Sequence, residues 1–273
     1  MTNRSKLILY PVTWFCCALF SLPLLVMISG SLKSPSQLAS DPYSLIPARL
    51  EFSNYPAALT SMPFFVYLSN TLILCIGCVI GTTLSCALVA YSLSRVKWHG
   101  RKWMFAIVVA TMLLPWHVTM IPRFVLISKF GLYNSLGAII LPTFLGDAFF
   151  IFLLRQFFLS LPEQLFEAGR LDGLTHWGLF WRILVPLSRP ALATVALFQF
   201  VQTWNDFGGP LLYLNDPQKF PLAYGLERFV SSYSGQTHLL LAASVLFTLP
   251  IVVLFFLTQK TFIRGIATSG LKG

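Results

Sequence analysis

Residues 66–93 read VYLSNTLILCIGCVIGTTLSCALVAYSL, a run without a charged side chain that is followed by Arg95, Lys97, Arg101 and Lys102. About 20 residues at a 1.5 Å rise cross a hydrocarbon core of roughly 30 Å, so this run suffices for a membrane-spanning helix. Five further apolar runs occur at about 8–30, 103–122, 134–157, 189–208 and 239–259. The pattern predicts an all-α, polytopic membrane protein with six transmembrane helices.

Composition agrees with that reading. The 273 residues are 56% hydrophobic and only 10% charged, with a mean hydropathy of +0.74, which calls for lipid as solvent. The formal charge of +10 would point to nucleic acid in a soluble protein, but these cations sit between apolar runs, so no nucleic-acid partner is expected. With six spans both termini share one side. Placing them inside puts thirteen of the 19 basic residues on inner segments, the densest cluster being Arg95 to Lys102 on a short loop. Lys33, Arg49, Arg123, Lys129, Lys219 and Arg228 remain outside, a distribution that obeys the positive-inside rule. The first run follows Arg4 and Lys6, exceeds the length of a signal-peptide core and is not closed by a small-x-small pattern, so it reads as an uncleaved span.

Cys16, Cys17, Cys75, Cys78 and Cys86 all fall within spans. There they serve as small apolar packing residues, and the C-x-x-C spacing of Cys75 and Cys78 lacks the companion ligands of a metal site. No metal is expected. The outer segment 31–63 carries five prolines and reads as a folded loop with one short helix near Tyr55 to Ser61. A second outer segment, Gly208 to His238, opens on Gly208-Gly209-Pro210 at the end of a span and has a turn at Asn215-Asp216-Pro217.

Charge within the spans is scarce. Asp147 lies deep in the fourth run and Asp206 near the outer end of the fifth. An ion in hydrocarbon must be paired, hydrated or facing a cavity, so Asp147 is either a hydrogen-bonded or protonated group at a helix interface or part of a substrate path. His99 and His176 on the inner side, and His117 and His238 near outer span ends, are accounted for by interfacial placement.

The inner segment 160–190, SLPEQLFEAGRLDGLTHWGLFWRILVPLSRP, is too patterned for a simple connection. Ser160 and Glu163 fit a capping box, Pro162 suits a first turn and Gly173 a stop, which predicts a helix from about Leu161 to Asp172. A second helix is expected from Thr175 as cap to about Val185, with Pro186 breaking it. The first carries Leu165, Phe166, Gly169, Asp172 and Gly173 at i, i+3, i+4 spacing, with Glu167 and Ala168 alongside. That is the form of a docking helix. The competing reading is a helix lying among lipid headgroups, against which Glu163, Glu167 and Asp172 place negative charge beside an anionic leaflet.

Glu167-Ala168-Gly169, then Asp172-Gly173, Ile183, Pro186 and Leu187, resembles the EAA loop of the permeases of binding-protein-dependent ABC importers. Trp204-Asn205-Asp206-Phe207, Pro210-Leu211-Leu212, Leu214-Asn215-Asp216, Ala242-Ala243-Ser244, Leu249-Pro250, Gln259-Lys260, Arg264-Gly265 and Leu271-Lys272-Gly273 resemble the carbohydrate branch, the maltose-transporter type of smaller permease. Gly169 departs from the motif's usual second Ala, lowering helix propensity by about 1 kcal/mol.

The resemblance implies one permease domain over 1–273, with a core at about 66–260, an outer loop at 31–63 and a coupling loop at 160–190. In that family the loop's helix docks on the ATPase, a role carried here to Leu165, Phe166, Glu167, Ala168, Gly169, Asp172 and Gly173, with Pro186 and Pro190 fixing the joint. It further implies a second related permease, two ATPase subunits, an external solute-binding protein docking on the outer loops, and a tail from about Gly265 to Gly273 reaching along the ATPase pair. It places the chain in a bacterial inner membrane.

The chain itself has no G-x-x-x-x-G-K-[ST] loop, so ATP and magnesium belong to the partner and no enzyme activity is expected here. The solute implied is a sugar, oligosaccharide, polyol or glycerol phosphate. Asp147, Gln199, Gln202, Trp204 and Asn205 offer the mixture of aromatic faces and hydrogen-bonding groups that sugar sites use, or else act as glue between helices. An ion-coupled secondary transporter would require midplane charge pairs, which are scarce, and would leave the patterned loop unexplained; a membrane enzyme would require a titratable cluster at one interface. An importer of a non-carbohydrate solute is the nearest rival.

Overall fold

The computed structural model describes residues 3–232 and 236–270, with side chains over 9–229 and 236–259. Arg4, Lys6, Lys260, Arg264, Lys272 and the expected ATPase-contacting tail therefore lie outside the described side chains. In chain order the helices are α1 (Asn3–Ser31), α2 (Pro35–Ser40), α3 (Asn54–Thr60), α4 (Phe64–Arg95), α5 (Arg101–Thr111), α6 (Trp116–Lys129), α7 (Gly137–Thr143), α8 (Ala148–Ser160), α9 (Glu163–Leu171), α10 (His176–Leu187), α11 (Arg189–Trp204), α12 (Gly208–Tyr213), α13 (Leu222–Ser232) and α14 (Thr237–Gly270).

Among the described residues, four segments are long and apolar enough to cross a membrane: Leu9–Ser31, Phe64–Arg95, Gly137–Ser160 and Thr237–Gln259. Six is reached only if each of two bent pairs counts as one crossing. The expected span 103–122 is α5 and α6 joined at 101°. Pro115 causes the break: it has no N–H to continue the ladder, it disfavours helix at the residue before it, and it adopts φ −64°, ψ 145°. The expected span 189–208 is α11, which stops at Trp204 and meets α10 at 79°. Gly208-Gly209-Pro210 begins the short helix α12 rather than ending a span. The fourth run is interrupted too, between α7 and α8, where Gly146 takes φ +90° and Asp147 caps α8.

The described residues divide into two compact units, one within 1–65 and 225–253, the other within 66–224 and 254–273. In the first, Ala58 packs with Phe229, Leu239, Ala242 and Ala243. Its outer segment folds as expected around α3, and gains the short helix α2. Asn54 Nδ2 donates to the carbonyls of Ser31 and Lys33, each at 2.9 Å, tying α3 to the end of α1.

The second unit holds the larger core. Cys86, Ala90, Tyr91 and Leu93 from α4 meet Phe150, Leu154 and Phe158 from α8, Phe166 from α9, Leu179, Phe180 and Leu184 from α10, and Val195 from α11. Cys75 and Cys78 pack as expected, with their thiols 3.9 Å from the carbonyl oxygens of Phe200 and Ile139. At the other end, Asn134 at φ +57° accepts through Oδ1 from the amides of Asn215 and Asp216 at 3.2 and 3.1 Å. This clasp holds the turn after α12 with a side chain that tolerates the left-handed region.

Candidate functional site

The segment 160–190 forms a helical hairpin packed on the core of the second unit. The expected capping box is absent. Ser160 is the last residue of α8, and its hydroxyl donates to the Phe157 carbonyl at 2.7 Å instead of facing α9. The chain then runs extended through Leu161 and Pro162 before α9 begins at Glu163. The stop is as predicted: Leu174 N donates to Gly169 O at 2.9 Å and Gly173 N to Arg170 O at 3.0 Å, with Gly173 at φ +76°. This is a Schellman motif, which uses a glycine to satisfy the last carbonyls of a helix.

Thr175 caps α10 as expected, accepting from Gly178 N at 3.4 Å. The second helix runs past Val185 to Leu187, and residues Leu179–Leu184 within it take π geometry. The widened turn comes directly before Pro186, whose ring would otherwise clash with the carbonyl four residues earlier. The helix then ends at Ser188.

The docking residues divide into two faces of α9. Phe166 and Gly169, three residues apart, point inward; Phe166 is fully buried and contributes about 2 kcal/mol by its burial. A Cβ on Gly169 would stand 2.6 Å from Ile183 Cδ1 and 2.7 Å from Leu179 Cδ2 of α10. Leu165, Glu167, Ala168, Asp172, Gly173 and, on α10, Pro186 are exposed. Leu171, which sequence reasoning passed over, is 88% exposed. It completes an outward apolar stripe of Leu165, Ala168 and Leu171 at i, i+3, i+6.

Arg95, read from the sequence only as an inner charge, is the hub beneath α9. It ends α4, its side chain is 6% exposed, and its guanidinium donates to the Phe158 carbonyl through Nε at 3.1 Å and to the Leu161 carbonyl at 2.6 Å. It further donates to the Glu163 carboxylate and again to the Phe158 carbonyl, and lies 4.4 Å from the centre of the Phe166 ring. On its exposed side Glu163 accepts from Arg170 at 3.2 Å. Glu163 is held below its ordinary carboxylate range: partial burial pushes it up, but the hydrogen bonds and charges of Arg95 and Arg170 outweigh that. A reciprocal bond runs from Arg155 on α8 to the Leu93 carbonyl on α4, at 3.1 Å. Tyr91 of α4 meets His176 Nδ1 of α10 at 3.3 Å.

The residues expected on the path have varied surroundings. Gln199 accepts from Thr82 at 3.0 Å and donates to Thr203 at 2.9 Å, the pattern of interhelical glue. Trp204 is buried and stacks on Phe200 at 5.5 Å. Gln202, Asn205 and Asp147 are exposed. Asn205 Nδ2 donates to the Val201 carbonyl at 2.8 Å, and Asp147 Oδ1 accepts from the amides of Phe149 and Phe150 at 2.9 and 3.2 Å.

Residues 77–268 match the family of binding-protein-dependent transport system inner membrane components. The chain belongs to this family. The match takes in α8, α9, α10 and the part of α4 from residue 77 onward, and the family is the one that the sequence resembles. Relatives of this inner-membrane component include the arabinooligosaccharide transport permease AraQ of Halalkalibacterium halodurans, 34% identical over 92% of this chain and 91% of its own. The diacetylchitobiose uptake permease NgcG of Streptomyces coelicolor is 32% identical over 91% and 82%. The polygalacturonan/rhamnogalacturonan transport permease YtcP of Bacillus subtilis is 31% identical over the full length of both. A chain of a bacterial ABC transporter that imports alginate superposes with a TM-score of 0.82 at 25% identity, covering 95% of this permease and 98% of that chain.

Proposed function

We propose that this permease carries an oligosaccharide or related carbohydrate inward across the membrane, driven by ATP hydrolysis on a partner subunit. The observation that carries the reading is family membership together with relatives whose transported solutes are arabinooligosaccharides, diacetylchitobiose and polygalacturonan/rhamnogalacturonan. The complex would comprise this chain, a second related permease, two ATPase subunits and an external solute-binding protein; a related alginate transporter has been solved with its periplasmic protein bound. Both termini face the cytoplasm, as the basic residues favour.

In this reading α9 is the coupling helix. Its exposed stripe of Leu165, Ala168 and Leu171, flanked by Glu167 and Asp172, meets the ATPase, while Phe166 and Gly169 seat it on the permease. Closure of the ATPase pair moves the hairpin and tilts the attached spans, opening the path alternately to each side. Asp147, exposed where the fourth run breaks, offers a carboxylate to sugar hydroxyls, since an ion facing lipid would be costly. Gln202 and Asn205, exposed at the end of α11, offer further hydrogen-bonding groups to a carbohydrate.

The test is co-purification from native membranes in mild detergent, followed by solute-stimulated ATP hydrolysis. Ala168→Arg changes the exposed face alone, whereas a bulky residue at Gly169 would strike Ile183 and Leu179 and unseat the helix. The wild type is expected to bring down an ATPase that Ala168→Arg loses. Purification without an ATPase, with uptake into liposomes driven by an ion gradient alone, would sink the proposal.

A further inference from the structure

From these contacts we infer that Arg95 is the positioning residue that makes the coupling helix rigid against the spans, so that its loss separates ATP hydrolysis from transport. The inference rests on the reading of α9 as the coupling helix.

Between α8 and α9 the covalent link is only Leu161 and Pro162, both extended, with ψ of 142° and 130°. Neither residue belongs to a helix, and the backbone at the end of α8 has carbonyls without intrahelical partners. Left to itself, such a joint would let α9 swing when pushed. Arg95 closes it from outside the linker. Its guanidinium bonds the carbonyl of Phe158 in the last turn of α8, the carbonyl of Leu161 in the link and the carboxylate of Glu163 at the start of α9. Its face covers Phe166, one turn further on. Three elements, α4, α8 and α9, thus share one planar group.

The geometry selects arginine. Three acceptors lie around one side chain and an aromatic ring under its face, which suits a planar fork of five donors; a lysine ammonium matches neither the spread nor the stacking. The Arg95 side chain is buried, so its bonds to the Phe158 and Leu161 carbonyls are shielded from water, while the pair with the half-exposed Glu163 is partly screened. Arg155, bonding back from α8 to the Leu93 carbonyl, holds the end of α4 from which Arg95 projects. A push on the exposed stripe of α9 therefore reaches α4 and α8 together.

The experiment uses the whole complex in proteoliposomes and measures solute transported per ATP hydrolysed, with accumulation and ATPase co-purification as controls. Arg95→Lys keeps the inner positive charge, and Glu163→Gln keeps a hydrogen-bond acceptor on a half-exposed side chain. Arg95→Lys is expected to retain ATP hydrolysis while solute per ATP falls about tenfold, the scale of one lost hydrogen bond to a charged group, with Glu163→Gln a few-fold down. The exchange Arg95→Lys with Glu163→Asp should rescue nothing, because the missing bonds are to carbonyls. If Arg95→Lys fails to accumulate, Glu163→Gln decides: reduced coupling supports the inference and wild-type coupling overturns it. Wild-type stoichiometry in both variants also overturns it. Absence of any ATPase with the wild type instead defeats the importer reading itself, which the controls report separately.

Discussion

Gly169 on α9 lies so close to α10 that a Cβ added to it would stand 2.6 Å from Ile183 Cδ1. The neighbours are the far ends of Ile183, Leu179 and Leu174 side chains, which can shift by rotamer adjustment. Gly169→Ala, the residue usual in the motif, is therefore expected to be nearly neutral: it gains about 1 kcal/mol of helix propensity and gives back a similar amount in repacking. Gly169→Trp should unseat α9 and abolish both accumulation and ATPase association. Thermal melting of the purified complex tests the first, and a Gly169→Ala midpoint many degrees below wild type would contradict it.

Glu163 imposes a pH dependence. Its folded pKa lies below the ordinary 4.5, so the stability from its pairs with Arg95 and Arg170 is fully present above about 4.5 and is lost as pH falls through the depressed value. On acidification below 4.5 the melting midpoint of wild type should fall more steeply than that of Glu163→Gln. Parallel curves for the two proteins would show that the pairs contribute nothing to stability.

Asp147 caps α8 and is exposed, and in the proposed function its carboxylate has a second, separable duty toward solute. Asn caps as well as Asp, whereas Ala costs about 1 kcal/mol. Asp147→Asn is thus expected to keep the wild-type melting midpoint while slowing uptake; Asp147→Ala should lower both. Undiminished uptake by Asp147→Asn would leave the residue a cap alone.

Lys33 is 1% exposed, with its ammonium donating to the carbonyls of Ser44 at 2.6 Å, Pro42 at 3.3 Å and Asp41 at 3.4 Å. Lys33→Met would keep much of the stem's packing but remove the ammonium's donations; the Ser44 and Asp41 carbonyls keep longer contacts from the Ser29 and Ser44 hydroxyls, each at 3.4 Å, while the Pro42 carbonyl loses its donor, a loss of about 1–3 kcal/mol. Limited proteolysis should cut the segment 34–48 faster in the variant. Unchanged cleavage would mean that water replaces the ammonium at no penalty.

The long spans were readable because a charge-free run longer than the bilayer is thick has few other uses, as in α4 and the apolar part of α14. Their breaks were less so. Pro115 and Gly146 are visible as letters, yet neither states whether its helix kinks, reverses or continues, since that depends on what packs against the bend. Gly173 and Thr175 acted as read because helix stops and caps are local events within four residues. Ser160 did not: it looked like a cap for α9, but α8 extends through it and its hydroxyl is taken by the Phe157 carbonyl.

The sequence by itself determined the solvent, the helical class, the patterned inner loop and, through that loop's motif, the family, because each follows from hydrophobic run length or from residues near one another in the chain. Only the tertiary structure decided which face of α9 is free and what holds the helix in place. Phe166 and Glu167 are neighbours of opposite fate, and no periodicity in so short a helix chooses between its two apolar stripes. Arg95 finds Glu163 across 68 positions. A positive-inside charge and a structural clamp are the same letter in the sequence; burial beside three acceptors is what distinguishes them.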